Sequence, residues 1–187
     1  MVIQEKFYTA ADLWALTHHE SERRFELTEG VLIEMSPAGG KHGGLAHELG
    51  RRVGNLVVDK KLGYVTAAET GYILNKDPKH KDTVRAPDVG FVAKERLPDG
   101  LPDGYIPLAP DLAIEVVSPN DSAEEIASKI SDYTRFGVRM FWFFYPKPKK
   151  VHVHTPPNLK ILSVDDVLDG GDVLPGFKLA LKDIFED

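Results

Sequence analysis

The chain has no cysteine, which excludes disulfides, thiolate catalysis and cysteine-ligated zinc. It has no apolar run near the roughly 18 residues of a membrane span, and its N-terminus, MVIQEKFYTAADLW, lacks a basic stretch followed by an apolar core. A soluble cytoplasmic protein with no membrane association is therefore the expectation. Positive charge is also short: 23 Lys and Arg stand against 29 Asp and Glu, a formal charge of -6 and a pI near 5.6. No chain-wide field draws the protein to nucleic acid, so any polyanion contact must be local. Several catalytic motifs are missing too. No G-x-S-x-G elbow occurs, GGKHGG at 39–44 lacks the P-loop spacing, and the zinc-protease position after His19 and Glu20 is Arg23. His152 and His154 share a strand face, but two ligands are too few for a metal centre.

What is present fits one domain over 1–187, with 42% hydrophobic residues to form its core. Thr9 and Asp12 resemble a capping box and open a helix running to about Glu20. RFEL and VLIEM flank Thr28, Glu29 and Gly30 as a hairpin. Leu45, Leu49, Val53, Leu56 and Val57 recur at helical spacing over His42 to Lys60. YVTAA and TGYIL read as strands, Asn75 to Pro87 as a polar loop, and the twice-repeated LPDG between Glu95 and Pro110 as another loop. Beyond MFWFFY, VHVHT and FKLAL read as short strands before a short amphipathic segment at Ile184 and Phe185. Alternating helices and strands predict an α/β fold.

The chemistry concentrates in three segments. VRAPDVGFV and LAIEVVSP read as strands in which Asp88 and Glu115 interrupt apolar runs, and SAEEIASKISDY follows as a helix. A carboxylate among Val89, Phe91, Ile114 and Val116 is costly unless a cation, a metal or protonation offsets it. Two such acids suggest a shared cation. The helix is expected to start at Asp121 with Glu124 as capping partner and to bury Ala123, Ile126, Ala127, Ile130 and Tyr133 on one side, with Lys129 beside them. If it packs over the strand it follows, the Lys129 stem can reach the strand end. Two carboxylates and a lysine make a workable hydrolytic site: the acids hold a hard divalent ion such as Mg2+, which activates water, while the ammonium orients the nucleophile or the transition state.

APDV at 86–89, IEVVSP at 114–119, the Lys129 to Tyr133 spacing, FELTEG at 25–30, His42 and GVRMFWFFYP at 137–146 together resemble the Uma-two family of bacterial restriction endonucleases, in the PD-(D/E)XK nuclease superfamily. The resemblance implies a restriction-endonuclease-like mixed central sheet flanked by helices, with extra C-terminal strands. It implies Asp88 and Glu115 as metal-binding acids, the Val116 carbonyl completing the site, and Mg2+ as cofactor with Mn2+ as substitute. The superfamily lysine normally lies two residues after the second acid, here Val117, so Lys129 takes the role from the following helix. Glu26 matches the family's N-terminal glutamate, which would bind a second metal or orient a water. DNA is the implied substrate, and a homodimer would suit double-strand cutting.

Alternatives stand beside each assignment. Asp88 can cap a backbone amide, Glu115 can pair with Arg85 or Lys129, Lys129 with Glu125, and Glu26 with Arg23 or Arg24. Candidates for substrate contact are His42, Arg85, Lys81 and Tyr133, with Lys76, Lys79 and His80 in the same basic loop and Arg51 and Arg52 on the long helix. The function expected is metal-dependent hydrolysis of DNA phosphodiesters. A catalytically inactive nuclease-fold protein that binds nucleic acid or assembles, or a phosphodiesterase acting on RNA or a small nucleotide, are the rivals.

Overall fold

Apolar periodicity and capping become architecture in a computed structural model that describes residues 6–19, 23–79 and 81–185. Thr9 caps α1 (Ala10–His19): its backbone N–H donates to Asp12 Oδ2 at 2.8 Å and the Asp12 N–H returns to Thr9 Oγ1 at 3.1 Å. A tight turn with Glu29 and Gly30 at positive φ joins β1 (Arg24–Thr28) to β2 (Val31–Met35). The long helix α2 (Gly40–Lys60) begins two residues before His42 and buries Ala46, Leu49, Val53 and Val57 along one face. It stops where Lys61 turns left-handed and gives its N–H to Val57 and Val58.

The strands β3 (Gly63–Ala67), β6 (Val89–Ala93), β7 (Leu112–Val116), β8 (Met140–Tyr145), β9 (Lys150–Thr155) and β10 (Asn158–Ser163) form a six-stranded sheet in the order β10-β9-β8-β7-β6-β3. The β7/β8 pair is parallel and the others are antiparallel. The parallel pair needs a crossover, which is α3 (Ala123–Arg135). Strand alternation divides the core. Leu112, Ile114, Val116, Trp142 and Phe144 pack with Leu49, Val53 and Val57 of α2, whereas Ala113, Phe141 and Phe143 face Tyr133, Ile126 and Ile130 of α3. By the same alternation Glu115 points to the α3 side. Truncating a fully buried anchor such as Leu49 is expected to cost about 2–5 kcal/mol.

A second sheet runs β2-β1-β5-β4, with β4 at Tyr72–Asn75 and β5 at Thr83–Arg85. Tyr72 ties it to the main sheet by lying over Gly90, where any Cβ would strike the phenol. Two sequence expectations are corrected here. The polar loop over Asn75 to Pro87 contains β5, which is buried throughout. VRAPDVGFV is not one strand either: it leaves one sheet at Arg85, turns through Ala86, Pro87 and Asp88, and enters the other at Val89. A third correction concerns α3. Its capping box is Ser122 with Glu125, one residue later than Asp121 with Glu124, and Ala123 and Ala127 are exposed. The C-terminal strands β11 (Val167–Asp169) and β12 (Lys178–Ala180) pair with each other, and α4 (Lys182–Phe185) closes the described chain. Among the described residues, no helix is long and apolar enough to cross a membrane.

Candidate active site

The β6/β7 register pairs Val89 with Ile114, so one step further along the ladder Asp88 comes beside Glu115. Both carboxylates are held from every side. Asp88 Oδ2 accepts the Val116 N–H at 2.8 Å and its Oδ1 meets His42 Nε2 at 2.9 Å. Glu115 Oε2 accepts from Lys129 Nζ at 2.7 Å and Oε1 from the Tyr133 hydroxyl at 2.5 Å. Lys129 and Tyr133 lie one helical turn apart on α3 and reach the same carboxylate from adjacent turns. Glu26, on β1, comes within 3.9 Å of Lys129 Nζ and accepts from Arg85 Nη1 and the Ala86 N–H, each at 2.8 Å.

Charge balance sets the electrostatics. Glu26, Glu115, Asp132 and Arg85 are buried, Asp88 is 15% and Lys129 17% exposed at the side chain, and the carboxylates outnumber the permanent cations. Burial, with Asp88 and Glu26 nearby, raises the Glu115 carboxyl to about 7 against the pull of Lys129. Burial also raises the Asp132 carboxyl, although Arg85 opposes it. Glu26 shows the contrary outcome: burial pushes it up, but Lys129, Arg85 and the Ala86 amide together hold it below the ordinary value. Partial burial pulls the Lys129 ammonium down, yet Glu115 and Glu26 raise its pKa and keep it protonated. His42 is raised chiefly by its hydrogen bond to Asp88, and its Nδ1 is buried with no partner.

Glu26, His42, Asp88, Glu115, Val116 and Lys129 line a cleft of about 610 Å³ that also takes in Arg23, Arg24, Glu34 and Asp121. The structure thus brings Asp88, Glu115, Val116, Lys129, Glu26 and His42 together. It places other expected residues elsewhere. Arg85 is 3% exposed and fully engaged by side chains, and Tyr133 is fully buried with its hydroxyl on Glu115, so neither offers a surface to substrate. Lys81 Nζ lies 4.5 Å over the Phe7 ring, outside the cleft lining. Arg51 and Arg52 both pair with Glu48, and His80 lies outside the described residues. Of the bland alternatives, Asp88 does accept a backbone amide, and Glu115 does pair with Lys129. Glu125 instead serves the Ser122 cap, Arg23 pairs with Glu34 and Arg24 with Glu69. Ser128 and Asp132, which hold Arg85, went unnoticed in the sequence; their spacing of four beside Lys129 and Tyr133 was the available signal.

Among the described residues no three His, Asp or Glu side chains are arranged to hold a metal by themselves. The donors nevertheless fit a hard divalent cation that keeps much of its water: two adjacent carboxylates with spare lone pairs, a neighbouring main-chain carbonyl at Val116, and a surplus of buried negative charge.

A mixed sheet with helices on both faces, two acids side by side at one end of adjacent antiparallel strands and a lysine on the crossover helix define a restriction-endonuclease-like nuclease fold. The chain belongs to the Uma2 family, whose description is "Putative restriction endonuclease"; the match spans residues 10–182. Its fold is similar to that of a protein from Anabaena variabilis ATCC 29413 solved as a "putative nuclease belonging to DUF820", at 22% identity, TM-score 0.80, over 95% of this chain and 97% of the other. No curated protein matches the sequence.

Proposed function

We propose that the protein is a Mg2+-dependent endonuclease, with Mn2+ as substitute, that hydrolyses phosphodiester bonds of DNA. The observation that carries this reading is the excess of carboxylate over cation at the Asp88 and Glu115 end of the sheet, a charge that a divalent ion would offset. Asp88, Glu115 and the carbonyl of Val116 are the groups that would hold it. When bound, such an ion supplies a water of lowered pKa and stabilises charge on the phosphate. The chain's own residues do the rest. Lys129, kept protonated, presents its ammonium at the Glu115 edge of the cleft to orient the attacking water or a phosphate oxygen. Glu26 fixes Lys129 and the Ala86 amide, and so the turn that carries Asp88. His42 holds the second oxygen of Asp88. Action on both strands of a duplex suits a homodimer.

The family supports the nuclease class, and the fold of the neighbour described as a nuclease agrees with it. Titration calorimetry with Mg2+ and Mn2+ tests the metal without a guess at substrate: binding in the wild type and its loss in Asp88→Ala is the expected result. Cleavage of supercoiled plasmid under the same ions then reads the activity. A wild type that binds no metal at millimolar concentration, yet retains nucleic acid, belongs to the inactive binding class instead.

A further inference from the structure

Arg85 joins parts of the site that the chain keeps far apart. Nη1 donates to Glu26 Oε2 at 2.8 Å, Nε to Asp132 Oδ2 at 2.8 Å and Nη2 to Ser128 Oγ at 2.7 Å. Glu26 lies on β1 of the smaller sheet, while Ser128 and Asp132 sit on successive turns of α3, on either side of Lys129 in sequence. The other oxygen of Glu26 takes the Ala86 N–H, two residues ahead of Asp88. One planar guanidinium therefore bears on both the turn that carries the first acid and the helix that carries the lysine.

The helix needs such a grip. Its first turns are exposed, and near Lys129 its contacts with the main sheet are the packing of Ile126, Ile130 and Tyr133 and the bonds of Lys129 and Tyr133 to Glu115. Those contacts all reach the helix from the main sheet, whereas Arg85 grips Ser128 and Asp132, off the stripe of Ile126, Ile130 and Tyr133, and so resists rotation about the helix axis from a second direction. A lysine at this position would keep the charge and lose the fork, since an ammonium cannot present separate donors in one rigid plane.

We propose that Arg85 is a positioning residue: its buried fork clamps α3 to β1 and β5 and thereby holds Lys129 against Glu115. This rests on the nuclease reading above for its catalytic consequence, but the clamp itself can be measured without turnover.

The test is a double-mutant cycle of wild type, Arg85→Lys, Lys129→Met and the pair. For plasmid cleavage, Arg85→Lys is expected to lower kcat by about ten- to a hundredfold, the loss typical of a misplaced reacting group. KM should stay within about threefold, because Arg85 touches no substrate. In the Lys129→Met background the same change should lower kcat less than about twofold further, because the group it positions is gone. Full additivity in kcat, or normal kcat per folded molecule in Arg85→Lys, overturns the proposal. Should Arg85→Lys not fold, Ser128→Ala and Asp132→Asn release the helix end of the clamp and must show the same fall in kcat without a matching rise in KM. Urea unfolding of the same four proteins separates the two ideas. If the wild type cleaves nothing, the nuclease reading fails and the unfolding cycle alone decides: non-additive stabilities uphold the clamp, and additive ones overturn it.

Discussion

The tripeptide Ala-Pro-Asp occurs twice, at 86–88 and at 109–111, and the two copies do the same backbone work with opposite electrostatics. Each leads into one of two antiparallel neighbours, β6 and β7. Asp88 caps the far end of β7 by accepting the Val116 N–H, and Asp111 caps the far end of β6 by accepting the Ala93 N–H, both at 2.8 Å. The surroundings then diverge. Asp111 is fully buried between Arg96 and Arg139, at 2.9 and 3.3 Å, so two guanidinium groups serve one carboxylate. Asp88 has His42 as its side-chain partner and two further acids, Glu115 and Glu26, within electrostatic reach of the same lysine. A cap alone therefore does not mark a site. What distinguishes Asp88 is a local surplus of negative charge that the fold leaves uncompensated, which an added cation can relieve.

The largest effect expected from breaking this comparison is on turnover. Asp88→Ala should lower plasmid cleavage about a thousandfold or more, roughly 4 kcal/mol of transition-state stabilisation. It should change unfolding free energy by no more than about 1–2 kcal/mol, because the lost amide bond is offset by relief of repulsion with Glu115. Asp111→Ala should do the reverse. It strands the buried Ala93 N–H and removes the partner of two arginines, for an expected loss of about 2–4 kcal/mol, while cleavage per folded molecule stays near wild type. Urea unfolding and cleavage of both variants side by side are sufficient, and equal behaviour of the two would dissolve the distinction.

The same contrast explains what the sequence could reveal. MFWFFY and LAIEVV were legible as central strands because both faces are buried and the apolar run is continuous. Glu115 stood out because one acid breaks such a run. Strand β5 was hidden because it is three residues long and includes an arginine. Its Arg85 is buried by ion pairing with Glu26 and Asp132, 59 and 47 positions away, and its Val84 by packing with Leu13 and Leu27, and pattern reading sees only near neighbours. For Lys129 the local candidate, Glu125 at four residues, lost to Glu115 because Glu125 is occupied by its capping box. The signal was present: Ser122 followed three residues later by Glu125 is a better box than Asp121 with Glu124, and taking it would have freed Lys129 for the strand.

A middle-sized effect concerns pH and the ion. The Glu115 carboxyl, raised to about 7 by burial and its acidic neighbours, binds a proton more tightly folded than unfolded. Stability from that proton is present below the ordinary glutamate value and is lost as pH rises through about 7. A divalent ion needs the ionised form, so the proton competes with it. Metal affinity is expected to climb about tenfold per pH unit below 7 and to level above it, and added metal should raise the melting temperature more at pH 8 than at pH 6. Calorimetry across that range reads both, and an affinity flat with pH would mean that Glu115 is not a ligand.

The smallest effect reports on the Asp88 pocket directly. The hydrogen bond and charge of Asp88 raise the His42 pKa above 6.5, burial opposes them, and Asp121 and Glu115 add weaker upward pulls. The stability this pair contributes is therefore complete below 6.5 and fades as pH rises through the folded value. In Asp88→Ala the dominant upward influence is gone while burial remains, so the His42 imidazole should titrate lower, as followed by its ring-proton resonances. Asp111→Ala sits at the other end of the same two strands and should leave the His42 titration where it is. If the Asp111 variant shifts it as much as the Asp88 variant does, the two ends are coupled through the β6/β7 pair, and the caps cannot be treated as one structural and one functional.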